Sequence, residues 1–416
     1  MALTAGGLWR HGDFLLLWSA QGVSAIGSRI TRTALPIAAI VTAGANAYQL
    51  GLLTVALTLP GALCAWFGGG WVDRHRRRPL MIGADLVRAF ALLSIPAAAF
   101  AGRLSLQLFY AVAVVTGVAT VLYHIADHVF VTDLVGRERV LDANGKREAV
   151  DAIAEISGPA LGGALVGWLT APIAIAVDAI TFIVSAFLIG NIRQRENIAP
   201  PPVATTVTAD IRTGIRVIRS DAGIQALFIA TSALTFCMSF MAPLYTLYSL
   251  SHLGLSPAQL GITIGCGGIG ALVGAALAAP AAARFGPRHA LIGGLVVGSA
   301  AQVLIPLAPS APWIAMMFLI GAQVIGDGAL TVYLINETTL RQQLLPAEAL
   351  GRAAATWQVA TGLLTPLGAL AGAALAENIG MRPTLWILAI GIGAAAAWLV
   401  VVRRAIPSSV RSVPSE

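Results

Sequence analysis

Charge is scarce in this sequence. Of its 416 residues only 11% are charged, whereas 57% are hydrophobic. A soluble domain averages roughly 25% charged residues, so this chain lacks the polar surface that would cover a water-soluble core of its size. The composition predicts a polytopic membrane protein and excludes a receptor or enzyme with a single membrane anchor. The apolar runs are long and continuous, which disfavours the alternating pattern of a transmembrane β-barrel.

The sequence also has few cysteines and lacks a nucleotide-binding motif. The chain has three cysteines, which lie in apolar runs without metal-ligand or redox spacing: Cys64, Cys237 and Cys266. They are interpreted as small packing residues. No P-loop is present in the sequence, which disfavours ATP as the energy source. No nucleophile with a base is evident, so neither an enzymatic site nor a cofactor is predicted.

The apolar runs predict an all-α membrane fold with twelve transmembrane helices, because each crossing needs about 20 residues. The run after Asp13 is too long for a signal peptide and is interpreted as the first span. The predicted spans are residues 14–43, 48–72, 80–102, 105–132, 144–170, 172–192, 223–250, 256–283, 289–308, 312–340, 351–378 and 382–403.

Basic residues lie almost entirely on one side of these spans. The net charge is +7, and only Arg103 and Arg382 fall on the side opposite to the other arginines. The positive-inside rule then predicts that both termini lie in the cytoplasm. The expected location is the bacterial inner membrane. The basic charge is therefore interpreted as a topology signal, and no nucleic-acid partner is predicted.

One long interruption divides the chain. Pro200–Pro202 cannot continue a helix, and residues 210–219 form a basic, amphipathic pattern suited to the inner membrane surface. The predicted domains are an N-terminal six-helix lobe at 1–192, a cytoplasmic linker with an amphipathic basic helix at 193–222, a C-terminal six-helix lobe at 223–404 and a cytoplasmic tail at 405–416.

Two motifs recur at nearly the same offset in the two lobes. The acid and basic cluster at 69–78 is echoed at 283–288, and the Gly-Pro run at 158–163 is echoed at 366–372. A duplicated six-helix unit of this kind predicts a two-lobed transporter.

The first motif resembles the signature between spans two and three of the major facilitator superfamily. It keeps the acidic and basic positions of that signature but has Arg76 where the family has a second glycine. The resemblance implies a conformational switch at Gly69, Asp73, Arg74, Arg77 and Arg78. The alternative reading of its arginines is a topology signal that binds anionic lipid.

The second motif resembles the antiporter signature in span five of the same superfamily, with Ala154 as the departure. Its matching residues are Gly145, Gly158, Pro159, Gly162 and Gly163. With the opening residues 10–18 and the Val-Asp178-Ala-Ile-Thr-Phe run of span six, the chain resembles the drug and siderophore efflux branch, in which this signature implies export. The alternative is tight helix packing at a glycine run.

Several ionisable residues fall at membrane depth, where each costs at least about 2.5 kcal/mol and is a functional candidate. Glu155 is the leading candidate for proton coupling because it lies three residues before Gly158. The other candidates are Asp127, Asp327 and Asp151. A structural ion pair between an acid and Arg29 is the alternative.

The family resemblance implies that spans one, four, seven and ten line a central cavity. Polar candidates to line it are Arg29, Arg32, His124, Asp127 and Asp327, and apolar candidates are Phe236, Met241 and Tyr245. Ordinary helix packing is the alternative for the apolar group. His124, Asp127 and His128 share a helix face, but a proton relay or cavity lining is favoured over metal binding.

The sequence therefore predicts a proton-coupled exporter of small amphipathic or drug-like molecules, which works by alternating access. Its expected partners are a small-molecule substrate, protons and membrane lipids, and we expect a monomer. One alternative is an exporter of an anionic metabolite such as a siderophore, or a lipid flippase, with Arg29 and Arg32 binding the anion. The other is a non-transporting sensor or scaffold with the same fold.

Overall fold

The computed structural model describes residues 7–72, 75–194 and 207–406, and every regular element in these ranges is a helix. The prediction of an all-α fold is confirmed. Pro200–Pro202 of the predicted linker lie outside the described residues. The structure divides into two compact units, one formed by Met1–Ala45 and Leu53–Ala204 and the other by Asn46–Leu52 and Thr205–Glu416.

Local sequence explains where the helices of the first unit begin and end. The Ser105 hydroxyl accepts from the backbone N–H of Leu108 and caps one helix. Gly44 and Gly102 follow two helix ends with φ of 62° and 64°, a conformation that glycine adopts at low cost. The helices are α1 Gly12–Ala43, α2 Ala47–Val72, α3 Arg77–Phe100, α4 Leu106–Val135, α5 Val140–Trp168 and α6 Ala171–Gly190.

The second unit begins with a short helix where the basic amphipathic pattern predicted one. Asp221 caps the helix that follows through the N–H of Ile224, and Ser256 with Gln259 forms a reciprocal capping box. The helices are α7 Val207–Ser220, α8 Ala222–Met238, α9 Met241–Leu247, α10 Pro257–Phe285, α11 Pro287–Gln302, α12 Leu304–Leu307, α13 Pro312–Leu344, α14 Ala347–Ile379 and α15 Met381–Val401.

Eleven helical stretches among the described residues are long and apolar enough to cross a membrane. Helix α1 is 32 residues long but is not among them, because polar residues such as Arg29 and Arg32 lower its mean hydropathy. With α1 the structure agrees with the twelve predicted spans. Two spans are less regular than predicted: the seventh ends its first helix at Met238 and continues as α9, and the ninth continues past Gln302 as α12.

Each unit pairs its helices in the same order. In the first unit α1 packs against α5 and α6, and α3 packs against α4 and α6; in the second, α8 packs against α14 and α15, and α11 packs against α13 and α15. Glycines allow one further contact in both units. Gly117 of α4 lies against the Leu57 carbonyl of α2, and Gly274 of α10 lies against the Gly328 carbonyl of α13. The repeat seen in the sequence is therefore also a repeat of packing.

The unit division falls between residues 204 and 205, inside the predicted linker. One short piece departs from a simple two-lobe division, since residues 46–52 at the start of α2 group with the second unit. There the N–H of Tyr48 donates to the Glu377 carboxylate at 3.3 Å, and Gly51 lies against Ala373 of α14. The domain boundaries drawn from the sequence stay predictions.

Candidate functional site

A polar cavity lies inside the first unit among helices α1, α3, α4 and α5. Its volume is about 200 Å³. The side chains that give it its chemistry are Arg29 of α1, Arg88 of α3, His124 and Asp127 of α4, and Arg147 and Asp151 of α5. Three of the predicted cavity residues, Arg29, His124 and Asp127, are therefore brought together, along with the predicted proton-coupling candidate Asp151.

The first charged cluster joins α1 to α5. One carboxylate oxygen of Glu155 lies 2.7 Å from Nε of Arg29, and the other accepts from Nη2 of Arg32. The three side chains are between about one third and one half exposed, at 31% for Arg29, 35% for Glu155 and 51% for Arg32. The leading proton-coupling candidate is thus shared by the two arginines that the sequence proposed as cavity residues.

The antiporter motif lies next to this cluster. A Cβ atom at Gly158 would collide with the Cβ of Arg29, and one at Gly162 would meet the Ile30 carbonyl. Glycine at these positions lets α5 approach α1 closely enough for Glu155 to reach both arginines. Pro159 and Gly163 are also buried in α5, whereas Gly145 has open space around it.

The second charged cluster is centred on Arg147, which lies about two helical turns from Glu155 on α5. Nη1 of Arg147 is 3.2 Å from one oxygen of Asp127, and its Nε is 3.8 Å from Asp151. The other oxygen of Asp127 accepts from Nε2 of Gln21 at 2.6 Å. Asp127 is 1% exposed, so its charge depends on these partners. The cluster connects α1, α4 and α5.

A third ion pair, between Asp85 and Arg88, lies on α3. Both residues are buried and their side chains are hydrogen-bonded to each other. The Arg88 guanidinium lies 4.6 Å from the ring centre of Tyr123 and 4.1 Å from that of Phe182, so it is also held by cation–π contacts. This pair is balanced in charge and closely packed.

The switch motif is only partly described. Asp73 and Arg74 lie outside the described residues, and Gly69 is in the last turn of α2. Arg77 is buried and pairs with Asp133 of α4 at 3.1 Å.

Arg78 of the same motif donates from Nε to the Ile189 carbonyl at 3.0 Å and from Nη2 to Gly190. It therefore caps the C-terminus of α6, where exposed carbonyls favour a cation.

The remaining predicted residues lie in the second unit. Asp327 of α13 faces Gly267 of α10 so closely that a Cβ there would collide with its carboxylate. Phe236 packs edge to face with Phe240 at 5.5 Å, and Met241 is partly exposed while Tyr245 is buried. Phe236, Met241 and Tyr245 stay candidates to line a cavity, with helix packing as the alternative.

Sequence reasoning missed two residues of the cavity. These are Arg88 of α3 and Arg147 of α5. The signal for Arg147 was its spacing, because Arg147, Asp151 and Glu155 follow one another every four residues on one face of α5. Within the described part of the chain, no group of three or more His, Cys, Asp or Glu side chains is arranged to hold a metal ion.

Two repeated bundles of membrane-crossing helices, with paired charges buried among them, define a multi-pass membrane transporter rather than an enzyme. Comparison with known proteins agrees with that class. The chain belongs to the Major Facilitator Superfamily, whose profile matches residues 17–251 and 227–416. The resemblance seen in its motifs is confirmed.

The chain is similar to Macrolide efflux protein A of Streptococcus pyogenes, with 24% identity over 91% of this chain and 92% of the relative. It is also similar to the multidrug efflux pump Tap of Mycolicibacterium fortuitum, with 25% identity over 92% of this chain and 93% of the relative. The crystal structure of the nucleoside transporter NupG has a TM-score of 0.76 at 12% identity, covering 94% of this chain and 98% of that one. That likeness concerns the fold alone.

Proposed function

We propose that this transporter is a proton-coupled exporter, which moves small amphipathic molecules across the membrane by alternating access. The efflux pumps among its relatives support export and a drug-like cargo. The single observation that carries proton coupling is the Glu155 carboxylate, which Arg29 and Arg32 of α1 share.

Glu155 is the acid whose protonation changes the most contacts between α1 and α5. Its negative charge holds two guanidiniums that lie about one turn apart on α1. Adding a proton removes that charge and leaves two like charges close together. Proton binding at Glu155 is therefore linked to separation of α1 from α5 at this point, and proton release restores the contact. Asp127, Asp151 and Asp327 follow it as candidates.

The test is transport by Glu155→Gln in proteoliposomes with an imposed proton gradient. We expect efflux of a fluorescent amphipathic dye to fall to the level of protein-free vesicles, while the dye still binds. The matched control is Glu138→Gln, because Glu138 is exposed in the turn before α5. Undiminished proton-driven efflux would remove Glu155 from the mechanism. If no compound of a broad panel evokes proton flux in the unmodified protein, a non-transporting sensor or scaffold is favoured.

The proposed setting is the bacterial inner membrane, with both termini in the cytoplasm and the protein acting as a monomer. The one-sided distribution of arginines supports this orientation. Helix α7 adds support, since Gly214 and Ile218 are buried while three arginines are exposed on one face, at positions 212, 216 and 219. Such a face suits anionic headgroups. A C-terminal fusion should be fluorescent with green fluorescent protein and inactive with alkaline phosphatase.

An exporter of an anionic metabolite, or a lipid flippase, is the second candidate. The observation that favours it is the presence of Arg29, Arg88 and Arg147 in the cavity wall. Arg29→Ala should then abolish binding of anions and spare cationic dyes. Loss of cationic dyes with anions retained would reject this candidate.

A further inference from the structure

An apolar groove lies on the second unit where α10, α11 and α13 meet. Its volume is about 460 Å³. Apolar side chains and glycines line most of it, including Leu277 of α10, Val297 of α11 and Val332 of α13. Leu277 and Val297 are exposed, so in a membrane the groove presents its apolar wall to the surrounding lipid.

The polar lining of this groove is confined to one end. Arg284 and His289 are the polar side chains among its lining residues, and both lie beside the turn from α10 to α11. From His289 to Val297 the lining follows eight residues of α11, or about 12 Å along the helix axis. The groove is therefore amphipathic, with a basic end at the turn and an apolar part that runs into the membrane span.

No carboxylate neutralises the basic end within the part of the chain that the structure describes. The sequence has no Asp or Glu between Asp221 and Asp327, and none of the described ion pairs includes Arg284. The Nδ1–H of His289 donates to the Phe285 carbonyl at 3.0 Å, which leaves Nε2 for a ligand. The basic end therefore has room for an anion from outside the protein.

The first unit repeats the groove without the basic end. Residues of α3 and α4 line a second groove of about 460 Å³, and all of its described lining residues are apolar. Gly83 of that groove corresponds to Gly293 of the other, at the spacing that also separates Gly158 from Gly368. The apolar groove thus belongs to the repeat, whereas the polar lining at one end is a property of the second unit.

We propose that the groove of the second unit binds one anionic phospholipid, with the phosphate at Arg284 and His289 and an acyl chain along α11 and α13. The turn lies on the arginine-rich side, which the proposed orientation places at the anionic inner leaflet. Charge complementarity at the turn selects the headgroup, and the apolar wall covers the chain. A free phosphate would make only the first contact, and an uncharged amphipathic molecule only the second.

The test is photolabelling of the full chain in phosphatidylcholine nanodiscs. The two probes are a phosphatidylglycerol and a phosphatidylcholine with the same diazirine-bearing acyl chain, and mass spectrometry of the digested protein locates the label. We expect phosphatidylglycerol to label 290–297 and 329–332 about fivefold more than phosphatidylcholine does, the effect of one arginine near the membrane surface. Equal labelling by the two probes would overturn the proposal and leave Arg284 as a topology signal alone.

Two positions separate the headgroup contact from the chain contact. Arg284→Gln should lower labelling by phosphatidylglycerol to the level of phosphatidylcholine, and Arg284→Lys should keep most of the preference. Gly293→Leu should remove labelling of this groove by both probes, because the added side chain fills it. Arg284 is exposed, and a Cβ atom at Gly293 meets open space, so these changes do not disturb the helix packing.

The matched control is Gly83→Leu, where a Cβ atom also meets open space but enters the groove of the first unit. It should leave labelling of the second groove unchanged. Persistent labelling of Gly293→Leu would contradict the proposal. Displacement of the phosphatidylglycerol probe by water-soluble glycerol phosphate would indicate a phosphate site without a lipid chain, and displacement by a neutral amphipathic dye would indicate a drug-binding groove. Either displacement would overturn the proposal.

Discussion

The two helical units pair their helices in the same order but differ in the charged residues that these helices carry. Helices α1 and α5 of the first unit carry Arg29, Arg32, Arg147, Asp151 and Glu155. Their counterparts in the second unit, α8 and α14, have no charged residue within 222–238 or 353–376.

The hydrogen bond between α1 and α4 involves a charged group, whereas the equivalent bond of the second unit joins two neutral groups. In the first unit Gln21 donates to the Asp127 carboxylate, whereas in the second the hydroxyls of Thr231 of α8 and Tyr333 of α13 form a hydrogen bond of 2.7 Å. The two contacts join equivalent helices, and the second is the more buried. The two units therefore share their packing but carry charge on different helices: on α1, α4 and α5 in the first unit, and on α13, with Asp327 and the buried Glu337, in the second.

The largest expected effect tests whether the packing is equivalent. Gly158→Val and Gly368→Val should each lower the free energy of unfolding by about 3 kcal/mol or more. The added side chain would collide with Arg29 in the first case and with the Phe236 carbonyl in the second. Thermal unfolding in detergent measures both. Gly145→Ala is the control, because a Cβ atom added at this position meets open space. If either valine variant melts at the wild-type temperature, the glycine contacts of the two units are not equivalent.

An intermediate effect tests the difference in charge. Asp127→Asn should cost roughly 2–3 kcal/mol, because it keeps the shape but removes the buried charge that holds Arg147. Tyr333→Phe should cost only about 1 kcal/mol, the value of one neutral hydrogen bond. Chemical unfolding of both variants in the same detergent compares them. Equal losses would mean that charge adds nothing to the first contact.

The smallest effect concerns a contact that both units retain. Arg78 at the start of α3 donates to carbonyls at the end of α6. Arg288 at the start of α11 donates to the carbonyls of Arg403 and Ile406 after α15, at 3.3 and 3.4 Å. Each change to Gln should cost about 1 kcal/mol or less.

Hydrogen exchange in the last turns of α6 and α15 would detect this loosening. We expect a larger increase in exchange for Arg78→Gln, because its bond to Ile189 is shorter than either bond of Arg288. A larger increase for Arg288→Gln would contradict this ranking of the two caps.

Much of the fold could be predicted because apolar length and arginine placement are properties of each helix alone. The breaks after Met238 and Gln302 could not, since both lie inside continuous apolar runs where no charge marks an end. Residues 46–52 likewise group with the second unit through contacts with α14, which is more than 300 positions away and leaves no local pattern.

The candidate site was predicted in its residue types but not in its pairings. Helical spacing places Asp151 and Glu155 on one face of α5, yet it does not say which helix that face meets. Glu155 pairs with α1, whereas Asp127 of α4 reaches Arg147 and Gln21. Glycine at 158 and 162 was the clue to the first pairing, because only a helix that comes very close needs them.

The concentration of charge on α1 and α5 also bears on membrane voltage. A charge that crosses the full membrane gains or loses about 2.3 kcal/mol per 100 mV. Helix α1 carries the two positive charges of Arg29 and Arg32 in its membrane-spanning part. Helix α5 carries Arg147, Asp151 and Glu155, whereas α8 and α14 have no charge in the corresponding stretches. Movement of α1 or α5 along the membrane normal would therefore carry current, and movement of α8 or α14 over those stretches would be electrically silent.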